Sequence, residues 1–328
     1  MSATHDAEAH DHSHGVPDPI VLTTQRGIWA VKWSCVWLLC TALIQAVIVW
    51  LSGSVALLAD TLHNVGDAAT ALPLWLAFSL ARRPPSSRFT YGYGRAEDLA
   101  GVFIVVVILG SGLVIGFEAI DRFRSPQPVQ YLGVVAVAAV IGFLGNEGVA
   151  RLRIKVGREI GSAALMADGQ HARADALTSL AVLAAVAGSW FGLEQADAVV
   201  GLGIALVILR IAWVSGKSVL VRLVDAVDPD IVQEIREAAR GADGVAEVTE
   251  VRVRWLGHRL HAELNVAVKA ELSIEEGHHV ALAVRHALLH QLRYLSNVMV
   301  HVDPITASGE AHHRIAAHTH DELPSHSH

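Results

Sequence analysis

Residues 33 to 51 read WSCVWLLCTALIQAVIVWL, an apolar run with Ser34 and Gln45 among its few polar members. At 1.5 Å of rise per residue such a run covers a hydrocarbon core of about 30 Å as a helix. Inside lipid a lone segment satisfies its backbone groups only by turning helical. The remainder of the chain follows the same pattern. A second span runs from the Ser52-Gly53-Ser54 turn to about residue 81, a third over 99 to 117, and a weaker fourth over 129 to 150 that ends in Asn146 and Glu147. A fifth covers 162 to 192 and a sixth 196 to 216, with Arg210 snorkelling near its end. Six transmembrane helices are expected, and a composition of 52% hydrophobic and 17% charged residues agrees with a bilayer protein.

Formal charge is -7, from 25 Lys and Arg against 32 Asp and Glu, which excludes a nucleic-acid partner because that needs a basic surface. Cys35 and Cys40 lie in one apolar run and read as small hydrophobes rather than a disulfide framework. The first 25 residues are polar and lack the apolar core of a secretion signal, so the first span is expected to direct insertion.

Short basic loops stay in the cytoplasm. Arg82, Arg83, Arg88 and Arg95 follow span two, and Arg151, Arg153, Lys155 and Arg158 follow span four. The connections after spans one and five hold no Lys or Arg, and that after span three holds Arg122 and Arg124. Both termini are therefore expected inside, in a bacterial inner membrane.

After Gly216 charges become frequent, and the pattern is that of a small α/β domain. Asp228-Pro229-Asp230 marks a helix start before Ile231 to Arg240. Val245 to Trp255 and Leu260 to Val268 read as strands joined near Gly257. Ser273 with Glu276 has capping-box spacing for a helix to about Arg293, and Val298 to Val302 is a last strand. The expected organisation is a His-rich disordered tail (1–27), a six-helix transmembrane domain (28–216), a cytoplasmic αββαβ, ferredoxin-like domain with a split sheet (217–305), and a second His-rich disordered tail (306–328). The tails carry ten of the 19 histidines, namely His5, His10, His12, His14, His312, His313, His318, His320, His326 and His328, tracts suited to loose metal collection.

An internal repeat carries the chemistry. ALLADTLHNVGDAATAL (56–72) and ALMADGQHARADALTSL (164–180) match at nine of seventeen positions with a constant offset of 108. The matches pair Asp60 with Asp168, His63 with His171 and Asp67 with Asp175, while the second copy adds Arg173. Residues four apart share a helix face, so each copy presents an imidazole with a carboxylate. Spans two and five run antiparallel, and the two faces can meet near the midplane. Two nitrogens and two oxygens suit tetrahedral Zn²⁺, a d¹⁰ ion. A lone charge at a helix centre costs about 2.5 to 3.5 kcal/mol on the translocon scale, whereas a dication neutralises both carboxylates and protons replace it when it leaves. That competition is the minimal physics of antiport. A bare His-to-Asp contact across the bundle would need one such pair, not two.

Asp60 and Asp168 are open to two readings, an ion relay or helix N-terminal charge compensation. Pro73 predicts a kink, serving packing. His279, His286 and His290 read as surface residues.

HxxxD in spans two and five, SGSVALLAD, YGYGRAE (91–97) and VHVDP (300–304) resemble the cation diffusion facilitator family of the zinc-exporting kind over about residues 28 to 305. The resemblance implies a homodimer exporting Zn²⁺ from the cytoplasm in exchange for H⁺, with metal held by His63, Asp67, His171 and Asp175. It implies no resident cofactor, zinc being the substrate and also a structural or regulatory ion. His278, His301 and Asp303 match ligand positions in the family's cytoplasmic domain; Thr249 stands where His is common, and Glu263 is a substitute ligand. Arg95 and Asp225 match the family's charge interlock between membrane base and cytoplasmic domain. The chain departs from the pattern in the loop 84–95, which contains neither Asp nor His and has Phe89 and Tyr93 at ligand positions, so the second site of some relatives is expected to be absent. A His-rich stretch between spans four and five is also missing.

Two rival classes remain, an intramembrane zinc enzyme and a membrane-bound metal sensor. The enzyme is disfavoured because HExxH is absent and four protein ligands leave no open coordination position. Cd²⁺ and Co²⁺ are alternative cargo, since affinity order alone does not select.

Overall fold

The computed structural model describes residues 19–52, 71–124, 132–191, 195–309 and 312. The first helix, α1 (Pro19–Ser52), has 34 residues, about 50 Å at the α-helical rise. It begins well before the apolar run, inside the stretch assigned by sequence to the disordered tail. Polar Thr23, Thr24, Arg26 and Lys32 interrupt hydrophobicity but not helix propensity, so the helix projects beyond the bilayer.

The described part of the next helix, α2 (Ala71–Ala81), carries the end of span two. It is followed by α3 (Arg95–Arg124), α4 (Leu132–Ile160), α5 (Ala163–Trp190) and α6 (Ala196–Leu223). Among the described residues four helices, α1, α3, α4 and α6, are long and apolar enough to cross a membrane. The fifth, α5, is 28 residues long but carries Asp168, His171, Arg173 and Asp175. The first part of span two, with Asp60, His63 and Asp67, lies outside the described residues, so the expected count of six rests on the sequence there.

One topological detail corrects the sequence reading. Arg151, Arg153, Lys155 and Arg158 were assigned to a loop after span four, yet all four belong to α4, and only Gly161 and Ser162 separate α4 from α5. Charged residues ended the apolar run without ending the helix. The turn works because Gly161 adopts φ +74, which L side chains disfavour, and because the Ser162 hydroxyl accepts from Leu165 N at 3.0 Å. Glycines then let the helices close up. A Cβ on Gly157 would sit 2.8 Å from Met166 Cγ, and one on Gly169 would sit 2.7 Å from Ile154 Cγ1.

The C-terminal domain comprises α7 (Pro229–Arg240), β1 (Glu247–Leu256), β2 (Arg259–Val268), α8 (Ile274–Gln291) and β3 (Leu295–Pro304), then a single 3₁₀ turn (Ile305–Ala307). Asp228 caps α7 by accepting from Asp230 N at 3.1 Å, with Pro229 at the first helical position. Ser273 and Glu276 complete both halves of the capping box on α8. The sheet order is β1-β2-β3, antiparallel then parallel. The expected split sheet is thus replaced by one in which β3 lies directly beside β2: α8 serves as the crossover that a parallel neighbour requires. Ile235, Val266, Val284 and Leu288 form the fully buried centre of this domain's core.

Candidate transport site

A polar stripe runs down α5. Asp168, His171, Asp175 and Ser179 are all buried, with residue exposures of 0%, 2%, 6% and 9%. Spacings of three, four and four residues place them on one helix face. His171 Nδ1 and Asp175 Oδ2 are 3.8 Å apart, within common reach of one ion. Ser179 donates to the Asp175 backbone carbonyl at 3.3 Å. Across from the stripe, α1 contributes buried Gln45 and α4 contributes buried Asn146. A Cβ on Gly142 of α4 would lie 2.9 Å from Ser179 Oγ and 3.6 Å from Gln45 Nε2, so these two side chains converge on the gap that the glycine leaves. His63 and Asp67, the other half of the proposed ligand set, lie outside the described residues, as does Asp60.

Asp168 has a partner that its sequence context did not disclose. Arg153 of α4 approaches it at 3.1 Å, the two side chains being 1% and 0% exposed. Arg153 Nε also donates to Ser34 Oγ of α1 at 2.8 Å. Three helices are therefore tied together one turn from His171. The pairing favours neither sequence reading of Asp168, since a salt-bridged carboxylate is neither a free relay nor a simple partner of the helix dipole. Arg173, unique to the second repeat, reaches outward to Glu147 of α4 at 3.2 Å, and Arg151 shares the same carboxylate at 2.8 Å.

At the base of the bundle the β1–β2 turn inserts between α1, α2 and α3. Glu97 and Asp98 are buried, and so is His258 at the turn. Glu97 Oε2 accepts from His258 N at 3.2 Å and lies 2.6 Å from His258 Nδ1. Asp98 Oδ2 accepts from Gly257 N at 3.2 Å. Thr24 Oγ1 lies 3.1 Å from His258 Nε2 and accepts from Arg259 Nη2 at 3.1 Å. An imidazole protonated at Nδ1 gives the chain one direction: Arg259 donates to Thr24, Thr24 to Nε2, and Nδ1–H to Glu97. Arg259 also donates to the Ala81 carbonyl at the end of α2. Sequence reasoning located this turn but assigned His258 no role, because its partners come from residues far away in the chain.

Arg95 and Asp225 are in direct contact, and Arg95 Nη1 also donates to the carbonyls of Arg222 and Leu223 at 3.3 Å. Their side chains remain 34% and 48% exposed within one chain. The four proposed cytoplasmic ligands do not gather in the same way. His301 Nε2 lies 2.9 Å from Asp303 Oδ1. Glu263 is instead drawn to Arg254 at 3.0 Å across the β1–β2 ladder, and exposed His278 neighbours His279 on α8. Among the described residues no three or more His, Cys, Asp or Glu side chains converge on a common point. Glu263, expected from the resemblance as a substitute ligand, is thus an ion-pair partner of Arg254 in this structure.

Comparison with known proteins gives the arrangement a family. The model of the cation efflux transmembrane domain matches residues 31–224. The chain belongs to the cation efflux family. The model of the cation efflux cytoplasmic domain matches residues 227–305. Among relatives of this cation efflux protein, a probable cation efflux system protein of Mycobacterium tuberculosis is 46% identical over 319 residues, covering 92% of this chain and 95% of the relative. The cation-efflux pump FieF of Klebsiella pneumoniae is 29% identical over 256 residues, 78% of this chain and 85% of the pump. The manganese efflux system protein MneP of Bacillus subtilis is 27% identical over 260 residues, 76% and 87% respectively. A solved manganese form of a MamM CTD variant is 28% identical over 23% of this chain and 96% of its own, with a TM-score of 0.23. The family is one of membrane transporters rather than enzymes.

Proposed function

We propose that this cation efflux protein exports Zn²⁺ from the cytoplasm in exchange for protons, as a homodimer with both termini inside. The ion is held by His63 and Asp67 from span two with His171 and Asp175 from α5. The observation that carries the reading is the burial of His171 and Asp175 on one face of α5 with Nδ1 and Oδ2 3.8 Å apart. Two buried groups that bind either a proton or a divalent ion exchange one for the other. A mixed imidazole and carboxylate set suits zinc, whereas manganese favours oxygen-rich sets. A homodimer agrees with the match of residues 227–305 to the family's cytoplasmic domain, a dimerisation domain.

Transport into proteoliposomes tests this. With an imposed pH gradient, purified protein should accumulate Zn²⁺ and dissipate the gradient, and His171→Ala or Asp175→Ala should abolish both. Wild-type uptake of Mn²⁺ in preference to Zn²⁺ would replace the cargo, a second reading motivated by the manganese exporter among the relatives. Zinc binding without uptake would make the chain a sensor.

A further inference from the structure

The loop after span two contains neither Asp nor His over residues 84–95. Together with the end of α2, the β1–β2 hairpin and the start of β3 it forms a half-open cavity of about 150 Å³, well above the ~10–15 Å³ that one water needs. Arg83, Arg259 and His261 line it, with Tyr91, Ser296 and Asn297 as neutral polar neighbours. Among the described residues lining it there is no carboxylate. Arg254 stacks its guanidinium 4.7 Å above the Tyr91 ring just outside the lining. The acidic residue next along β2, Glu263, is held by Arg254.

Such a space repels a metal ion and attracts an anion. Arg259 is fixed beforehand by its bonds to Thr24 and the Ala81 carbonyl, so it loses little freedom on binding. Burial first, then Arg254 and Arg259, hold the His261 imidazole below its ordinary pKa, with Glu263 opposing them. Arginine forks and hydroxyl or amide donors around a small space match the oxygens of a phosphate group. The cavity sits where the apolar run of span two gives way to Arg82 and Arg83, a basic pair of the kind that flanks a span on its cytoplasmic side.

We propose that this cavity is a phosphate-binding site, occupied by the phosphodiester of an anionic lipid or by free phosphate. The site does not depend on the identity of the transported cation.

The test uses the full-length chain in nanodiscs of phosphatidylcholine with or without phosphatidylglycerol, followed by release into detergent and native mass spectrometry. Wild-type protein should retain phosphatidylglycerol preferentially, and Arg83→Gln, at the exposed rim, should weaken retention about fivefold, the usual effect of one basic residue at a membrane surface. Inorganic phosphate added to delipidated protein distinguishes the sources. Protection against thermal unfolding by phosphate at millimolar concentration without lipid preference would assign the site to the free ion, and lipid preference without such protection would assign it to the headgroup. As a second measure, bound anion should raise the His261 pKa, read by nitrogen-labelled histidine NMR, in wild type and not in Arg83→Gln. Equal lipid retention by both proteins, with no phosphate protection and no movement of His261, overturns the proposal.

Discussion

At the scale of single residues, Arg153 with Asp168 shows how far a buried charge depends on its partner. Both ends are sealed from solvent, and removing one leaves the other uncompensated, a loss of about 3–5 kcal/mol in comparable buried pairs. Asp168→Leu and Arg153→Met should each lower the melting temperature of the purified protein strongly. The double variant Arg153→Met with Asp168→Leu should recover most of the loss, because packed apolar groups replace buried ion pairs at little cost. A double variant whose loss is the sum of the two single losses would show that the pair is not coupled. The sequence repeat made Asp168 conspicuous, since its copy is Asp60. Its partner was invisible, because Arg153 sits among basic residues that resemble an ordinary cytoplasmic loop and only the packing of α4 on α5 turns it inward.

At the scale of elements, local signals were legible wherever the relevant atoms are close in sequence. The capping box on α8, the proline start of α7 and the hairpin turn at Gly257 all rest on partners a few residues apart. Strand order depended on β2 meeting β3 across a helix, which pattern alone leaves open. The α8 cap has a pH signature. Bonds from the Ser273 backbone and side chain hold the Glu276 carboxyl below its ordinary value. The contribution is therefore fully present above the unfolded carboxylate pKa of about 4.3 and fades as pH falls through the lowered folded value. Amide exchange in the first turn of α8 should be slower in wild type than in Glu276→Gln at neutral pH, with the difference closing in acid. The β1–β2 turn offers a sharper perturbation. A Cβ on Gly257 would lie 2.7 Å from Glu97 Oε2 and 2.8 Å from the Gly94 carbonyl, at φ +63. Gly257→Ala should expel the turn from the bundle, seen as faster proteolysis near residue 258, while His258→Gln, which keeps a donor for Glu97, should be milder.

For the whole molecule, the contacts across the junction decide whether the C-terminal domain moves with the bundle. Arg95 and Asp225 lie there, partly exposed, so within one chain their attraction contributes about 0–1 kcal/mol. Charge reversal of either should therefore alter transport more than stability, and the double reversal should restore part of the rate; identical losses in all three proteins would remove the pair from the mechanism. The six-helix expectation came from hydropathy and remains strongest where charge is sparse, whereas the polar stripe of α5 dilutes the signal in the one helix that matters most. The short link between α4 and α5 sets a further condition. With one left-handed glycine, one capping serine and methionine and isoleucine side chains pressed against bare backbone on either side, the two helices have no slack to slide past each other. In the proposed transport cycle, opening the site to one compartment and then the other would accordingly swing them as a single lever, carrying His171 and Asp175 through an arc instead of along the membrane normal.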